Sequence, residues 1–219
     1  MPALPDTIAL VPVKSLDSGK TRLSPILDIH QRAAVIPAMV EDIFNALAAF
    51  GRMPVLVVTG DSRVANMAES RGFSYLMETA CISETMAIEA ATRKAGELGA
   101  GGTMVVPGDI PLVQPEDFAA VLAAAPLQGS LLVPAWDGRG TNAALRRPHD
   151  LFPLRFGNDS FLPHRAAAEK TGLPCAVLHN ERLALDVDSP EDLFRFLEYS
   201  STTITRRVLE SFHLERRPR

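Results

Sequence analysis

The stretch "TIALVPVKSLDSGKTRLSP", Thr7 to Pro25, decides the architecture. Its first half, "TIALVPV" (Thr7 to Val13), is a short, almost continuous apolar run rather than an alternation of apolar and polar residues. A strand of that kind is buried on both faces, as happens when helices cover both sides of a parallel sheet. The second half holds Gly19-Lys20-Thr21, which at first reads like the close of a phosphate-binding P-loop. Such a loop needs a second glycine five residues before Gly19, because its backbone amides must wrap phosphates without Cβ obstruction. That position is Lys14, so the P-loop is excluded. A buried strand followed by a glycine-containing loop with Lys14, Lys20 and Arg22 is what remains.

The pattern repeats along the chain. "MPVLVVTG" (Met53 to Gly60), "TMVVPGD" (Thr103 to Asp109) and "GSLLVPA" (Gly129 to Ala135) are further continuously apolar runs. Helical spacing separates them, over Gln31 to Phe50, Ser62 to Arg71, Ser83 to Leu98 and Pro115 to Ala124. Pro37 predicts a kink or a late start in the first. Asp61-Ser62 and Ser83 suit helix caps, and Pro115-Glu116-Asp117 suits a first turn. Gly72 closes a helix before a short strand, Phe73 to Met77. The second half is less regular. "GTNAALRR" (Gly140 to Arg147) and "PCAVLHN" (Pro174 to Asn180) read as strands around a helix near Ser160 to Lys170. "SPEDLFRFLEY" opens a helix with Ser189 as cap and Pro190 at its first position. The alternation predicts an α/β fold: one domain over residues 1–219, an open, mostly parallel sheet with helices on both faces.

Bulk properties exclude several classes. A chain of 219 residues can bury a full core in one domain. A net charge of −4 offers no general attraction to nucleic acid or acidic membranes. Two cysteines, Cys81 and Cys175, are too few for a disulfide framework, which points to a reducing cytoplasm. No run approaches the ~18 apolar residues of a membrane span, and no signal peptide is evident. Residues 200–219 form a basic tail or a weakly amphipathic helix, read as a surface or partner-packing element, with a homodimer as one use for it.

In open α/β sheets ligands bind beyond the carboxyl ends of the strands. After the first strand come Lys14, Gly19, Lys20 and Arg22; after the third comes "PGDIPL" with Asp109. "ALDVDSPEDL" places Asp186 and Asp188 at the end of a short strand, where alternation makes them face the same way, within reach of Asp109. Carboxylates from separate strand ends opposite cations on a loop suit a polyphosphate bound with Mg²⁺, a hard ion that prefers oxygen ligands. "RFGNDSF" is a glycine loop running into a helix near Ser160, where free amides and a hydroxyl suit an anion. Caps by Asn158, Asp159 or Ser160 are the plain alternative there.

Taken in order, "PVKSLDSGKTRLSP", "PGDIPL", "GTNAAL", "RFGNDSFLPHRAAA" and "LDVDSPEDL" resemble the guanylyltransferases of deazaflavin coenzyme biosynthesis, a branch of the GT-A-like nucleotidyltransferases. The resemblance runs from about Ala9 to Phe196. It implies transfer of GMP from GTP to a small phosphorylated three-carbon acid (2-phospho-L-lactate, phosphoenolpyruvate or 3-phospho-D-glycerate) with loss of pyrophosphate. By resemblance Lys14, Lys20 and Arg22 take the triphosphate, while Asp109 and Asp188, or else Asp186, hold Mg²⁺. Thr141, Gly157 and Ser160 match the pocket for the acid, and His164 ends that motif as a loop-orienting histidine. The family's Leu-Asn pair at the third helix is replaced by "CISETMAIEAA", with Thr85 at the asparagine position and Cys81 and Ser83 nearby. That change leans toward an acid other than the commonest. The labile product implies hand-over to the next enzyme of the pathway. The alternatives are a same-fold enzyme acting on a sugar phosphate or another cofactor precursor, and a catalytically silent nucleotide-binding subunit.

Overall fold

The computed structural model describes residues 7–213 apart from 18, 79–82 and 158, so the expectation for Cys81 lies outside the described residues. Among them, strands β1 (Thr7–Pro12), β2 (Val55–Thr59), β3 (Ser74–Met77), β4 (Gly102–Val105), β5 (Gly129–Pro134), β6 (Thr141–Arg147) and β7 (Cys175–Val177) form one sheet. The order is β3-β2-β1-β4-β6-β5-β7. Only β6 runs against its neighbours β4 and β5, and every other pairing is parallel. The mostly parallel sheet matches the expectation from the apolar runs.

Alternation along β1 divides the core. Ala9 and Val11 face one layer, formed by α1 (Ile29–Phe50), α2 (Ser62–Glu69), α4 (Pro115–Ala124), α7 (Pro190–Glu198) and α8 (Ile204–Ser211). Ile8 and Leu10 face the other, formed by α3 (Glu84–Glu97) and α5 (Phe161–Glu169). A single turn, α6 (Glu181–Ala184), joins β7 to the last segments.

Three expectations need correction. The first helix starts at Ile29, because Asp28 caps it and Gln31 returns the bond, and it continues through Pro37 instead of starting late. α1 is also long and apolar enough to cross a membrane, contrary to the run-based reading, yet half of that window is buried inside the fold. Asp186 and Asp188 do not end a strand. They sit in an irregular extended segment between α6 and α7, held to the sheet side by the Val187 amide donating to the Asp109 carbonyl at 3.0 Å.

The late amphipathic segment packs within its own chain. Thr205 and Leu209 of α8 are buried, and Asp42 of α1 accepts from the Ile204 amide (2.8 Å), the Thr205 amide (2.9 Å) and the Thr205 hydroxyl (2.7 Å). Asp42 thus caps α8 from a different helix. Asp42→Ala leaves three donors without an acceptor and should cost about 2 kcal/mol. A urea midpoint equal to wild type would show that α8 docks through apolar contact alone.

Candidate active site

The loop after β1 is pinned at two apolar points, Leu16 and Leu23, both buried. The Leu16 amide donates to Asp61, which also caps α2. Between them the chain turns at Lys20, whose φ of 53° lies in the left-handed region. A single 3-10 turn, Thr21–Leu23, follows. Gly108 sits against this loop: a Cβ there would lie 3.3 Å from Val13 Cγ2 and 3.4 Å from the Pro12 carbonyl, so glycine lets "PGD" approach β1 closely.

These constraints bring Lys20 onto the acids. Its Nζ donates to Asp109 Oδ2 at 2.5 Å and to Asp188 Oδ1, while Arg22 Nη2 pairs with Asp188 Oδ2. Carboxylate oxygens of Asp109, Asp186 and Asp188 lie within 4.8 Å of one another. Asp186 is steadied by Asn142, whose Nδ2 donates to Oδ1 at 3.0 Å. Asn142 and Thr141 reach this edge because β6 is antiparallel, so it begins where β5 ends, with Thr141 opposite Pro134.

The charges divide unequally. Burial alone would lower the Lys20 pKa, but Asp109 and Asp188 outweigh it and hold the ammonium well above its usual range. Burial opposes ionisation of Asp188 too, and there Lys20 and Arg22 win, keeping its carboxyl below the usual range. Asp186 goes the other way. Burial first and the Asp109 charge second push it up to about 6, against the Asn142 hydrogen bond. Glu84, the first residue of α3, is raised by burial and then by Asp109.

Two cavities meet at Glu84, Pro107, Asp109 and Asp188. The first, about 430 Å³, runs along the loop after β1 past Lys14, Lys20, Val13 and Val58 to Glu78. The second, about 590 Å³, is lined by Arg22, Arg139, Thr141, Gly157, Ser160 and Asp186. Gly157 has φ 146°, a backbone region that favours glycine.

Every expected site residue therefore borders one cavity or the other. The three cations do not form one lip, however. Lys20 and Arg22 lie on the acids, whereas exposed Lys14 exerts its charge on Glu78 and Glu84. Ser160 begins α5 without a side-chain cap; its Oγ instead accepts the Thr141 amide at 3.1 Å. Asp159 pairs with Arg139, and the Phe161 amide at the helix start is already taken by the Arg139 carbonyl. Nor does Asp188 cap α7: Ser189 does, with Asp192 reaching back. Thr85 lines neither cavity, while its neighbour Glu84 lines both.

Sequence reasoning missed Glu84, Arg139 and Asn142. Glu84 follows a cap after a strand, and the strand-end rule applied to the third helix would have reached it. Arg139 and Asn142 flank "GT" at the start of a strand whose direction no local pattern reveals.

The open, mostly parallel sheet, with carboxylates and cations grouped at its strand ends, has the architecture of nucleotide-diphospho-sugar transferase-type folds. A nucleotide-diphospho-sugar transferase, so assigned, from Desulfovibrio desulfuricans G20 superposes with a TM-score of 0.77 at 21% identity, covering 94% of this chain and 95% of that one. The profile described as "Guanylyl transferase CofC like" matches residues 7–219, and the chain belongs to that family. A phosphoenolpyruvate guanylyltransferase of Rubrobacter xylanophilus is 38% identical over 188 residues, 85% of this chain and 91% of its relative. A 2-phospho-L-lactate guanylyltransferase of Methanothermobacter thermautotrophicus is 33% identical over 213 residues, 97% of this chain and 93% of its own length.

Proposed function

We propose that the protein transfers GMP from GTP to phosphoenolpyruvate, or to a close three-carbon analogue, and releases pyrophosphate. The observation that carries this reading is the junction of two cavities at Asp109 and Asp188. A nucleotide in the first and a phosphorylated acid in the second would meet there. Phosphoenolpyruvate is favoured by the name of the 38% identical relative.

The first cavity combines apolar walls at Val13, Val58 and Ala87 with Glu78, whose buried Oε1 has no hydrogen-bond partner among the described residues. Such an acceptor suits the donor edge of guanine, N1–H with the 2-amino group. Lys14 lines the same cavity, where its charge suits the triphosphate. In the second cavity, Arg139 and the hydroxyls of Thr141 and Ser160 suit the acid's carboxylate.

A phosphate oxygen of the acid forms the bond to the α-phosphorus, and the bond to the bridging oxygen breaks, with its electron pair leaving on pyrophosphate. The attacking phosphate is anionic at neutral pH, so no general base is needed. The protein's part is alignment and charge neutralisation. The clustered carboxylates of Asp109, Asp186 and Asp188 form a hard oxygen donor set that fits Mg²⁺, which when bound supplies charge compensation to the phosphates. The reading includes a cytoplasmic location and hand-over of a labile product to the enzyme that consumes it.

The test is pyrophosphate release with product mass spectrometry, using GTP, ITP, CTP or ATP with Mg²⁺ and each candidate acid in turn. GTP with phosphoenolpyruvate should react fastest, with ITP slower for want of the 2-amino group. Nucleotide binding without product in any mixture would leave only a silent binding subunit. Reaction with CTP and a sugar phosphate would replace the reading altogether.

A further inference from the structure

His164 is 2% exposed, behind the wall of the second cavity, and makes two hydrogen bonds that together fix its tautomer. Its Nε2 accepts the Arg155 backbone N–H at 2.8 Å, so that nitrogen carries no hydrogen. Burial, and then the positive charge of buried Arg146, keep the ring neutral, with its pKa lowered to about 4. The ring's single hydrogen therefore sits on Nδ1, which donates to Thr141 Oγ1 at 3.0 Å.

A threonine hydroxyl has one hydrogen and two acceptor lone pairs. With His164 donating to it, Thr141 Oγ1 is an acceptor on the protein side, and its own hydrogen, uncommitted among the described residues, remains for the cavity that it lines. Ser160 repeats the arrangement. Its Oγ accepts the Thr141 amide, and it lines the same cavity with its hydroxyl hydrogen uncommitted among the described residues. Both hydroxyls are thus held as donors toward whatever occupies the cavity. The polarity suits an anion.

We propose that His164 is a positioning residue for the acid substrate: by donating to Thr141 it aims the threonine hydroxyl hydrogen into the second cavity, where it binds the acid's carboxylate. The inference rests on the acid-pocket reading above. It goes further in assigning one hydrogen bond, with its direction, as what makes the Thr141 hydroxyl a donor to an anionic group. The Arg155 contact sets that direction by keeping the hydrogen off Nε2, and the edge-to-face packing of Phe156 on the ring, 5.1 Å between centroids, holds the imidazole in place.

Two substitutions separate the functions of the ring nitrogens. The amide nitrogen of His164→Asn stands near Nδ1 and continues to donate to Thr141. The side-chain oxygen of His164→Gln reaches the place of Nε2 and continues to accept from Arg155, without a donor for Thr141. At saturating GTP, with phosphoenolpyruvate varied, His164→Gln should raise the KM for the acid about tenfold or more. Its KM for GTP and its kcat should change less than about threefold, and His164→Asn should restore much of the acid affinity. Thr141→Val should raise the same KM by a similar factor and add little in the His164→Gln background. It also provides the test if His164→Gln fails to fold. Equal effects of Asn and Gln, an equal rise in the KM for GTP, or full additivity with Thr141→Val would each overturn the proposal. A wild-type protein that releases no pyrophosphate with any acid would instead remove the acid-pocket reading, so the two failures are distinguishable.

Discussion

Lys20→Met is expected to lower turnover by about a hundredfold or more and, in the nucleotide-free protein, to tighten divalent-cation binding. The two effects have one cause. Lys20 bridges Asp109 and Asp188, the same carboxylates that with Asp186 form the acidic cluster. Without nucleotide, its ammonium therefore occupies the place of a metal's charge. A divalent ion must compete with it, and removing it should raise Mn²⁺ affinity about tenfold, the equivalent of ~1.4 kcal/mol of relieved competition. With nucleotide bound, the same ammonium, which lines the first cavity together with Lys14, would face the triphosphate, and methionine cannot replace its charge there. Metal-free Lys20→Met should also melt lower than wild type, since among the described residues three close carboxylates would keep only Arg22 as a direct counter-charge, and added Mn²⁺ should recover the difference. Calorimetric Mn²⁺ titration decides the matter. An unchanged affinity would mean that Lys20 and the metal do not share the acids.

The layered sheet was legible because each inner parallel strand is buried on both faces, and a short, β-branched apolar run such as "TIALVPV" suits that place better than a helix. Caps were legible for the same local reason: Ser83, Asp61 and Ser189 each take the amide that the sequence implies. What escaped depends on chain direction and on partners remote in sequence. Nothing local to "GTNAALRR" says that β6 runs antiparallel, yet that alone puts Thr141 and Asn142 on the ligand edge. The loop cations were found as a set, but their division, with Lys20 inward and Lys14 toward Glu78 and Glu84, follows from the left-handed turn at Lys20. That conformation is uncommon for a residue with a Cβ, and no residue type announces it. The tail reads as a surface or partner-packing element in sequence because Asp42, the acid that docks α8, lies 163 residues before Thr205.

Asp109→Asn is expected to reduce turnover at least as much as Lys20→Met, with the opposite effect on metal. Asp109 borders both cavities and is the acid whose backbone holds the Asp186–Asp188 segment in place, through its carbonyl and the Val187 amide. The amide substitution removes only the side-chain charge, so that backbone contact and the position of Asp188 should survive. The acidic cluster then has two charges where it had three, one of them already paired with Arg22. Mn²⁺ binding should weaken about tenfold or more, and turnover should fall about a hundredfold or more for loss of one group that organises the developing charge. Asp186→Asn separates two accounts of the third acid. Asp186 is held by Asn142 and pushed up to about 6 by burial and Asp109, so its charge is the least secure of the three. If it is a ligand, its amide should weaken Mn²⁺ binding as strongly as Asp109→Asn does. If it only shapes the pocket, Mn²⁺ binding should stay near wild type while the KM for the acid rises. A folded Asp109→Asn protein with wild-type pyrophosphate release would contradict the site itself, because Asp109 pairs with Lys20 and borders both cavities.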